Sequence, residues 1–349
     1  MPRLRRVDCG EHGIHRRRQG RGFSYVGPDG ERIADLDTLE RIRALAIPPA
    51  WKDVWICPYP SGHIQATGFD AAGRKQYRYH DAWRVRRDAD KFESMVRFAH
   101  ALPGMRERID EDLQLEGMPR ERSLACAVRL LDRGSFRIGS EDYAEDNGTY
   151  GLATMRKEHV TVQGDVVAFD YDAKGSLRRR QRVIDPDSAA VVKALLRRRG
   201  GGEELLAYRD GRSWRDVRSQ DINAYLKEAS GGDFSAKDFR TWNATVLASI
   251  ALAVSGEVAG RSKTARKRAM KRTVDEVARH LGNTPAVCRA SYIDPRVFDR
   301  FDGGLTIGGV LPELAADAEG WPAVQRSVEE AVLDLIAGDE TSDAIEQAA

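Results

Sequence analysis

The period of the apolar residues divides the chain into two regions. Up to about residue 80, apolar and polar side chains alternate over short runs that Gly, Pro and Asp turns separate, which is typical of β-strands. Helical spacing occurs there over residues 36–45 and stops before Pro48. Strands are predicted at residues 22–26, 54–57, 63–69 and 75–79, the last two forming a hairpin. The pattern therefore predicts a small, mainly antiparallel-β module.

From about Ala82 onward, apolar residues lie three and four positions apart, which indicates helices. Helices are predicted at residues 83–100, 105–116, 120–132, 187–199, 220–229, 237–254, 261–281 and 324–336. A hairpin at residues 159–171 and a strand at 177–183 interrupt them, with Lys174 at the tip of a turn. The predicted fold class is α+β. A β-rich N-terminal domain covers residues 1–88, and a mostly α-helical domain with a small β-hairpin sheet and an acidic, frayed tail covers residues 89–349.

The segment from Leu281 to Pro295 predicts the end of one helix, a tight turn and a short second helix. Gly282 is expected just after the first helix, Thr284 as the cap of the second and Pro285 as its first residue. Tyr292 follows, and a tyrosine phenol can act as a covalent nucleophile. Most tyrosines only pack, so a role for Tyr292 depends on what other segments bring to it.

The charge is divided unevenly along the chain. The formal net charge is +2, but from Asp302 onward there are one basic and eleven acidic residues, a net of −10 that leaves +12 on the preceding residues. A basic body indicates a polyanionic partner, because neutralising phosphates supplies much of the affinity for nucleic acid. Arginine-rich runs that are merely solvated faces would produce the same composition, so charge alone leaves both readings open.

Several functional classes lack their sequence signatures. The chain has no Walker A loop, no GxGxxG after a strand, no HExxH and no GxSxG. The four cysteines are far apart and predict reduced thiols, while Cys9, His12 and His15 supply only three of the four donors that structural zinc requires. No run is long enough to span a membrane, and no apolar stretch follows the basic N-terminus. A cytoplasmic protein without metal or nucleotide cofactor is therefore expected.

Several long motifs, in order, resemble the type IB DNA topoisomerases of the small poxviral and bacterial kind. The N-terminal ones are Ile47-Pro-Pro-Ala-Trp51-Lys-Asp-Val-Trp-Ile, His63-Ile-Gln-Ala-Thr-Gly and Gly73-Arg-Lys-Gln-Tyr77. The later ones are Phe136-Arg137-Ile-Gly, Tyr150-Gly-Leu-Ala-Thr, Lys237-Asp-Phe-Arg240-Thr-Trp and Ser291-Tyr292. The resemblance covers roughly residues 20–300 and implies a catalytic domain of the tyrosine-recombinase kind.

The resemblance implies relaxation of supercoiled DNA through a transient nick, without ATP or a required metal. Tyr292 would attack a phosphodiester to give a 3′-phosphotyrosyl link and a free 5′-hydroxyl. Arg137 and Arg240 suit the charge that develops on the phosphate oxygens, and Lys174 could protonate the leaving oxygen. Asn283 stands where the family usually has histidine, and its amide can still donate a hydrogen bond to phosphate.

The expected partner is duplex DNA, clamped by a monomer that is associated with the nucleoid. The residues expected to bind the duplex are Gln76, Tyr77 and Tyr79 in the N-terminal domain and Tyr143 and Lys237 near the catalytic residues. Lys75, Tyr77 and Tyr79 are predicted to share one face of a strand, which suits contacts to phosphate, sugar or base edges. An ordinary half-buried strand would show the same alternation.

Two alternatives remain open at this stage. A tyrosine recombinase shares the catalytic fold and the Arg/Lys/Arg/Tyr set, but usually has His-x-x-Arg where this chain has Lys237-x-x-Arg240, and its N-terminal domain is typically helical. A DNA-binding clamp without catalysis would need the basic charge but not Tyr292. One further hypothesis is that the acidic tail competes with DNA for the basic body.

Overall fold

The structure, a computed structural model, describes residues 3–141, 144, 148–259, 262–316 and 321–347. Contacts between residues divide the chain into two units, Met1–Glu93 and Ser94–Ala349. The predicted boundary between residues 88 and 89 stays a prediction. An α+β fold with an N-terminal antiparallel sheet and a mostly helical second unit is what the structure has, as the alternating and helical apolar patterns predict.

The first unit is built on a five-stranded antiparallel sheet with the strand order β2-β1-β3-β4-β5. Its strands are β1 Ile14–Gln19, β2 Gly22–Val26, β3 Lys52–Ile56, β4 Ile64–Phe69 and β5 Lys75–Tyr79, and its first helix is α1 Leu36–Ala44. The pattern gave no sign of β1, because only Ile14 of that strand is buried and arginines fill its middle. The core of the sheet and α1 consists of Ile14, Ile42, Val54, Ile56 and Ala66.

The two helices predicted at residues 83–100 and 105–116 are one continuous helix, α2 Asp81–Leu113, and the prediction was wrong there. Pro103 lies inside it, where a proline removes a backbone hydrogen bond and usually kinks or ends a helix. Burial continues across the proline at helical spacing, through Phe98, Leu102, Met105 and Ile109. Burial of this continuous stripe favours an unbroken helix over the local preference of Pro103.

The second unit contains the end of α2 and nine further α-helices within the described ranges. They are α3 Arg120–Gly134, α4 Pro186–Arg197, α5 Ser219–Ser230, α6 Ala236–Ala259, α7 Lys263–Leu281, α8 Pro285–Ser291, α9 Pro295–Asp302, α10 Leu311–Ala316 and α11 Trp321–Ala337. The largest fully buried side chains include Phe98, Phe136, Phe169, Phe239 and Trp242. The helix α6, which carries Arg240, is accordingly packed around its first turns.

A three-stranded antiparallel sheet of β6 Val160–Gln163, β7 Val166–Ala173 and β8 Leu177–Ile184 lies between helices α3 and α4 in sequence. Its predicted hairpins are confirmed, and residues 174–176 form the turn between β7 and β8. A second hairpin, β9 Ala207–Asp210 and β10 Ser213–Asp216, was not predicted. Half of the residues in its two four-residue strands are charged, so no run of alternating apolar residues indicates them.

The helix predicted at residues 324–336 is confirmed as α11, whereas the tail after it, predicted to be frayed, includes a paired strand, so that part of the prediction was wrong. Helix α11 buries Val328, Val332 and Leu335, and strand β12 Glu346–Gln347 pairs with β11 Leu305–Thr306. The carboxylate of Glu329 is buried as well and accepts hydrogen bonds from Arg106 and Trp242. The acidic residues of α11 are tolerated because its other face is apolar and buried.

Buried ion pairs join the helices of this unit, and we refer to Arg106, Arg129, Arg133 and their carboxylates as the core cluster. Arg106 lies 2.8 Å from Asp132 and 2.6 Å from Glu329, measured from guanidinium nitrogen to carboxylate oxygen. Arg129 and Arg133 each lie 3.2 Å from Asp185, and Arg129 also pairs with Asp110. Every arginine of the core cluster therefore has its charge matched by a carboxylate.

Candidate active site

The turn that leads to Tyr292 has the predicted chemistry. Gly282 ends α7 in the left-handed region at φ 64°, and Thr284 caps α8 by accepting a hydrogen bond from the backbone N–H of Val287 at 3.4 Å. Pro285 is the first residue of α8. Tyr292 follows this helix directly, and its backbone N–H donates to the carbonyl of Cys288 at 2.9 Å.

Arg137 follows the end of α3 and is positioned by a close crossing of two glycines. A Cβ on Gly139 would lie 2.9 Å from the Cα of Gly151, and a Cβ on Gly151 would lie 2.5 Å from the Cα of Gly139. The backbone N–H of Leu152 donates to the carbonyl of Arg137 at 2.8 Å. The motifs around Arg137 and Tyr150 therefore form one backbone unit, which only glycine permits at the crossing.

Three arginines from three different segments converge on the C-terminal end of α7. Arg179 donates to the carbonyls of Arg279 at 3.0 Å and His280 at 2.5 Å, Arg240 to that of Leu281 at 2.9 Å, and Arg137 to that of Gly282 at 2.7 Å. Carbonyls at the end of a helix lack partners within it and carry partial negative charge, so cations are favoured there. We refer to Arg137, Arg179 and Arg240 as the site cluster.

Among the described residues, the charge of the site cluster is not matched by a carboxylate. None of these three arginines takes part in an ion pair there, and their hydrogen-bond acceptors include carbonyl oxygens and the Asn283 amide oxygen. Burial lowers the pKa of Arg240, and Arg137 lowers it further while the Tyr292 phenol raises it. A guanidinium nevertheless stays charged in proteins. The site cluster therefore holds an excess of positive charge.

Arg240 is the most deeply buried member of the site cluster and the one next to Tyr292. Arg240 is only 4% exposed to solvent, and its guanidinium carbon lies 5.3 Å from the centre of the Tyr292 ring. It also donates to the carbonyl of Ser135, while its Nε has no hydrogen-bond partner. Its position near the start of α6 is thus explained by two carbonyls and the nearby phenol.

Asn283 lies at the same turn with its donor unused. Its side-chain oxygen accepts a hydrogen bond from Arg137, which leaves the amide nitrogen on the other side. That nitrogen is buried and has no hydrogen-bond partner. A buried donor without an acceptor costs free energy, so a ligand oxygen that accepts from it would be favoured.

Lys174 lies at the exposed tip of the β7–β8 hairpin, as predicted. A cavity of about 270 Å³ is lined by Lys174 together with Arg137, Ser140, Thr149 and Tyr150. The structure therefore brings Lys174 and Arg137 to the same cavity. The side-chain oxygen of Thr149 is buried there without a hydrogen-bond partner, so the cavity also offers one unused hydroxyl.

The residues predicted to bind DNA differ in where the structure places them. Tyr77 and Tyr79 are exposed on one face of β5, with stacked rings 5.9 Å apart. Gln76 points to the other face, where its amide donates to Asp70 at 3.0 Å. Lys237 is exposed in the first turn of α6, one turn before Arg240. Tyr143 lies outside the described residues.

Two residues that sequence reasoning did not single out help to build this region. Arg179 belongs to the site cluster, and the only local hint was its place in the arginine-rich run of β8. Thr245 of α6 donates to the carbonyl of Tyr292 at 3.3 Å and accepts from the N–H of Asp294 at 3.2 Å. A buried threonine in an apolar helix gives no signal in sequence that it holds the backbone of Tyr292.

The chain matches two family models and a set of named relatives. The eukaryotic DNA topoisomerase I catalytic core matches residues 80–301, and the bacterial DNA topoisomerase IB N-terminal domain matches residues 22–70. DNA topoisomerase 1B of Acanthamoeba polyphaga mimivirus is 30% identical over 289 residues, which cover 80% of this chain and 85% of the viral protein. DNA topoisomerase I of Monkeypox virus is 21% identical, over 66% of this chain and 70% of that protein.

These matches define a class of DNA topoisomerases. The chain belongs to the type IB DNA topoisomerase family, with an N-terminal domain of the bacterial kind. It is accordingly an isomerase that changes the topology of DNA. The DNA topoisomerase 1 of Schizosaccharomyces pombe, 29% identical, aligns over 45% of this chain and only 19% of its own length.

The described part of the chain has two features that concern membranes and metal ions. No helix in it is both long and apolar enough to cross a bilayer. Within the same residues, no three His, Cys, Asp or Glu side chains are grouped so that they could hold a metal ion, and this includes the region of Cys9, His12 and His15. The expectation of a reaction without metal or nucleotide stays a prediction.

Proposed function

We propose that this topoisomerase relaxes supercoiled duplex DNA by transient cleavage of one strand through a 3′-phosphotyrosyl intermediate on Tyr292. One observation carries the proposal. Three guanidinium groups meet at the turn before Tyr292 with carbonyl and amide oxygens as partners and with no carboxylate of the described residues paired to them. An uncompensated cluster of this kind is suited to an anion, and a phosphodiester is the anion that a topoisomerase must bind.

The proposed cleavage step displaces one oxygen of the phosphodiester by another. The Tyr292 phenol releases its proton to solvent water, its oxygen forms a bond to phosphorus, and the bond from phosphorus to the 5′-oxygen breaks. Lys174 transfers a proton from its ammonium group to that leaving oxygen, which becomes the free 5′-hydroxyl. Rotation of the free end relieves torsion, and religation is the reverse reaction, so the backbone bond energy is conserved without ATP.

Arg137, Arg240 and Asn283 are proposed to bind the non-bridging phosphate oxygens. Charge grows on these oxygens as the fifth ligand approaches phosphorus, and preorganised donors in a partly buried site are usually the largest catalytic contribution. The guanidinium groups are held in advance by Ser135, Leu281 and Gly282 carbonyls, so little reorganisation is needed. With this charge supplied by side chains, Mg²⁺ would be dispensable.

Duplex DNA is the proposed partner outside the scissile phosphate as well. Exposed Tyr77 and Tyr79 offer two stacked rings on β5, and Lys237 offers a cation one turn from Arg240. We also propose that the protein clamps the duplex as a monomer and that it is located with the DNA in the cytoplasm. DNA affinity should then fall steeply with salt, since each phosphate contact releases counterions.

The test is a relaxation assay on a single supercoiled plasmid with EDTA and without ATP. Stepwise appearance of relaxed topoisomers with the wild-type protein, and none with Tyr292→Phe, supports the proposal. Exchange of strands between two molecules of the plasmid would instead indicate a recombinase. Binding without any change of topology, in both the wild-type and variant proteins, would leave a DNA-binding clamp and overturn the proposal.

A further inference from the structure

Arg179 is the member of the site cluster that the proposed chemistry leaves without a task. We propose that Arg179 is a positioning residue that holds the β7–β8 hairpin against the end of α7 and thereby places Lys174 for proton transfer. This inference rests on the proposed function, because it concerns the general acid of that reaction. It adds a residue and a role that are not needed for the phosphate contacts.

Side chains of β8 attach the hairpin to the rest of the second unit at two levels. Near its base, Gln181 donates to the carbonyl of Gly134 at 2.6 Å and accepts from the Tyr171 hydroxyl at 2.7 Å. Two residues closer to the tip, Arg179 donates to the carbonyls of Arg279 and His280. From Arg179 to the tip, residues 174–178 are all exposed. On β8, Arg179 is therefore the attachment point nearest to Lys174, while on β7 the carbonyl of Asp172 accepts a hydrogen bond from the backbone N–H of Tyr150 at 2.8 Å.

The contact of Arg179 with α7 is close and specific. Both terminal nitrogens of its guanidinium are used on successive carbonyls, which a planar fork can reach together. A Cβ on Gly282 would lie 3.1 Å from Nη1 of Arg179, so the glycine that ends the helix also makes room for this side chain. The same helix end holds Arg137 and Arg240. Arg179 therefore fixes the position of the hairpin relative to the residues proposed to bind the phosphate.

The neighbouring arginines of β8 offer a matched comparison, because they point to the other face of the strand. Arg178 lies 2.5 Å from Asp170, and Arg180 lies 3.3 Å from the same carboxylate on β7. Those pairs lie within the hairpin and are exposed. They tie one strand to the other but not the hairpin to α7, so of these three arginines only Arg179 links the hairpin to the helix end that precedes Tyr292.

The experiment uses the full-length protein in single-turnover cleavage of a duplex whose cleavage site has first been mapped with wild type. Two versions of the duplex are compared, one with the ordinary 5′-oxygen at the scissile phosphate and one with sulfur in its place. A thiolate leaves without help because a thiol has a pKa near 8.5, whereas the corresponding alcohol needs a proton. Loss of the general acid is therefore visible only with the oxygen substrate.

With the oxygen substrate, Arg179→Ala is expected to slow cleavage by roughly 10- to 100-fold, because a displacement of about 1 Å can cost that much. With the sulfur substrate, Arg179→Ala should cleave close to the wild-type rate, as should Lys174→Ala. The double variant Arg179→Ala/Lys174→Ala should be no slower than Lys174→Ala on the oxygen substrate. Arg180→Ala, the matched control, should behave as wild type on both.

The outcomes separate this inference from the proposed function. Equal defects of Arg179→Ala on both substrates would mean that Arg179 acts on the phosphate or on its other ligands, and no defect would mean that the contact is dispensable; either result overturns the inference. If Arg179→Ala does not fold, Arg179→Gln retains a donor for one carbonyl and is measured in the same way. Failure of the wild-type protein to cleave either substrate would instead overturn the proposed function.

Discussion

The second unit contains two groups of buried or half-buried arginines that are treated in opposite ways. In the core cluster, Arg106, Arg129 and Arg133 each lie within 3.2 Å of a carboxylate oxygen. In the site cluster, Arg137, Arg179 and Arg240 meet carbonyl oxygens at the end of α7. A carbonyl satisfies the N–H groups but leaves the charge, so the charge of the same side chain is balanced by a carboxylate in one place and left unmatched in the other.

The pKa values follow the same division. Burial alone would lower the pKa of Arg106, but Asp132 and Glu329 outweigh it and raise the pKa. Burial lowers the pKa of Arg240, the Tyr292 phenol raises it, and Arg137 and Arg179 lower it further. Burial raises the pKa of the Tyr171 phenol, while Arg179, Arg137 and Arg240 act in the opposite direction. The difference teaches that partner chemistry, more than burial, distinguishes a structural arginine from one prepared for a ligand.

The largest expected effect is on stability, for Arg106→Met in the core cluster. Removing Arg106 leaves Asp132 and Glu329 buried without their cation, which typically costs about 3–5 kcal/mol in the free energy of unfolding. Urea unfolding followed by circular dichroism measures the loss. Arg326→Met, which breaks the exposed pair with Glu330, is the control and should leave the urea midpoint unchanged. A loss equal to that of the control would contradict the role of the core cluster.

The next effect is on the reaction, for Arg240→Ala in the site cluster. Removing a preorganised donor to the phosphate should lower the rate of single-turnover DNA cleavage by about 10²–10³-fold. Arg240→Lys should recover little, because a lysine cannot bind two phosphate oxygens with a planar fork.

The distinction between the two clusters would be lost if Arg106→Met slowed DNA cleavage as much as Arg240→Ala does. Measured at a temperature and urea concentration where it is fully folded, Arg106→Met should cleave DNA at the wild-type rate. Equal losses of cleavage in Arg240→Ala and Arg106→Met would mean that both arginines act through the fold alone.

A smaller effect distinguishes the clusters by pH. Burial alone would raise the pKa of Asp185, but hydrogen bonds from Ser188 and the charges of Arg133 and Arg129 outweigh it and hold the pKa below its ordinary value. Asp185 therefore contributes stability above its unfolded pKa of about 3.9, and this is lost as pH falls through the lower folded-state value. Asp185→Asn, which can still cap α4, should show a smaller drop in urea midpoint between neutral pH and pH 3.

The control for this pH dependence comes from the site cluster. Arg137→Gln removes a charge whose partners are a carbonyl and an amide oxygen, so the drop in urea midpoint towards pH 3 should equal that of the wild-type protein. If Asp185→Asn kept the full drop, the carboxylates of the core cluster would not be its source.

The smallest effect is expected at Asn283. Asn283→His should cleave DNA within about threefold of wild type, because both side chains can donate an N–H to a phosphate oxygen. Asn283→Ala should be slower by about tenfold, the worth of one such hydrogen bond. Single-turnover cleavage measures both, and a severe loss in Asn283→His would show that the site requires the amide itself.

Truncation is not a clean test of whether the acidic tail competes with DNA, because helix α11 is part of the core. Truncation after about residue 305 would remove Val328, Val332 and Leu335 from the core and would expose the partners of Glu329. Such a truncation should destabilise the second unit rather than free a DNA surface. Competition between the acidic residues and DNA is better tested by neutralising exposed carboxylates such as Glu330 and Glu340 and measuring DNA affinity against salt.

Local sequence determined a large part of the fold and of the candidate site. The turn at Gly282, Thr284 and Pro285 and the β7–β8 hairpin were predictable, because caps, left-handed glycines and alternation depend on residues next to each other. The resemblance of the motifs around Arg137, Arg240 and Tyr292 named the family that the comparisons then bore out. These features need no knowledge of distant contacts.

Tertiary structure alone decided which charges are matched and which are left for a ligand. Continuity of α2 through Pro103 depends on burial along its whole length, and the integration of α11 depends on a partner 223 residues away in the chain, Arg106. Arg179 and Arg137 reach carbonyls that are 100 and 145 residues distant. An arginine looks the same in sequence whether a carboxylate or a carbonyl will meet it, since that choice belongs to the packing of segments that only the folded chain brings together.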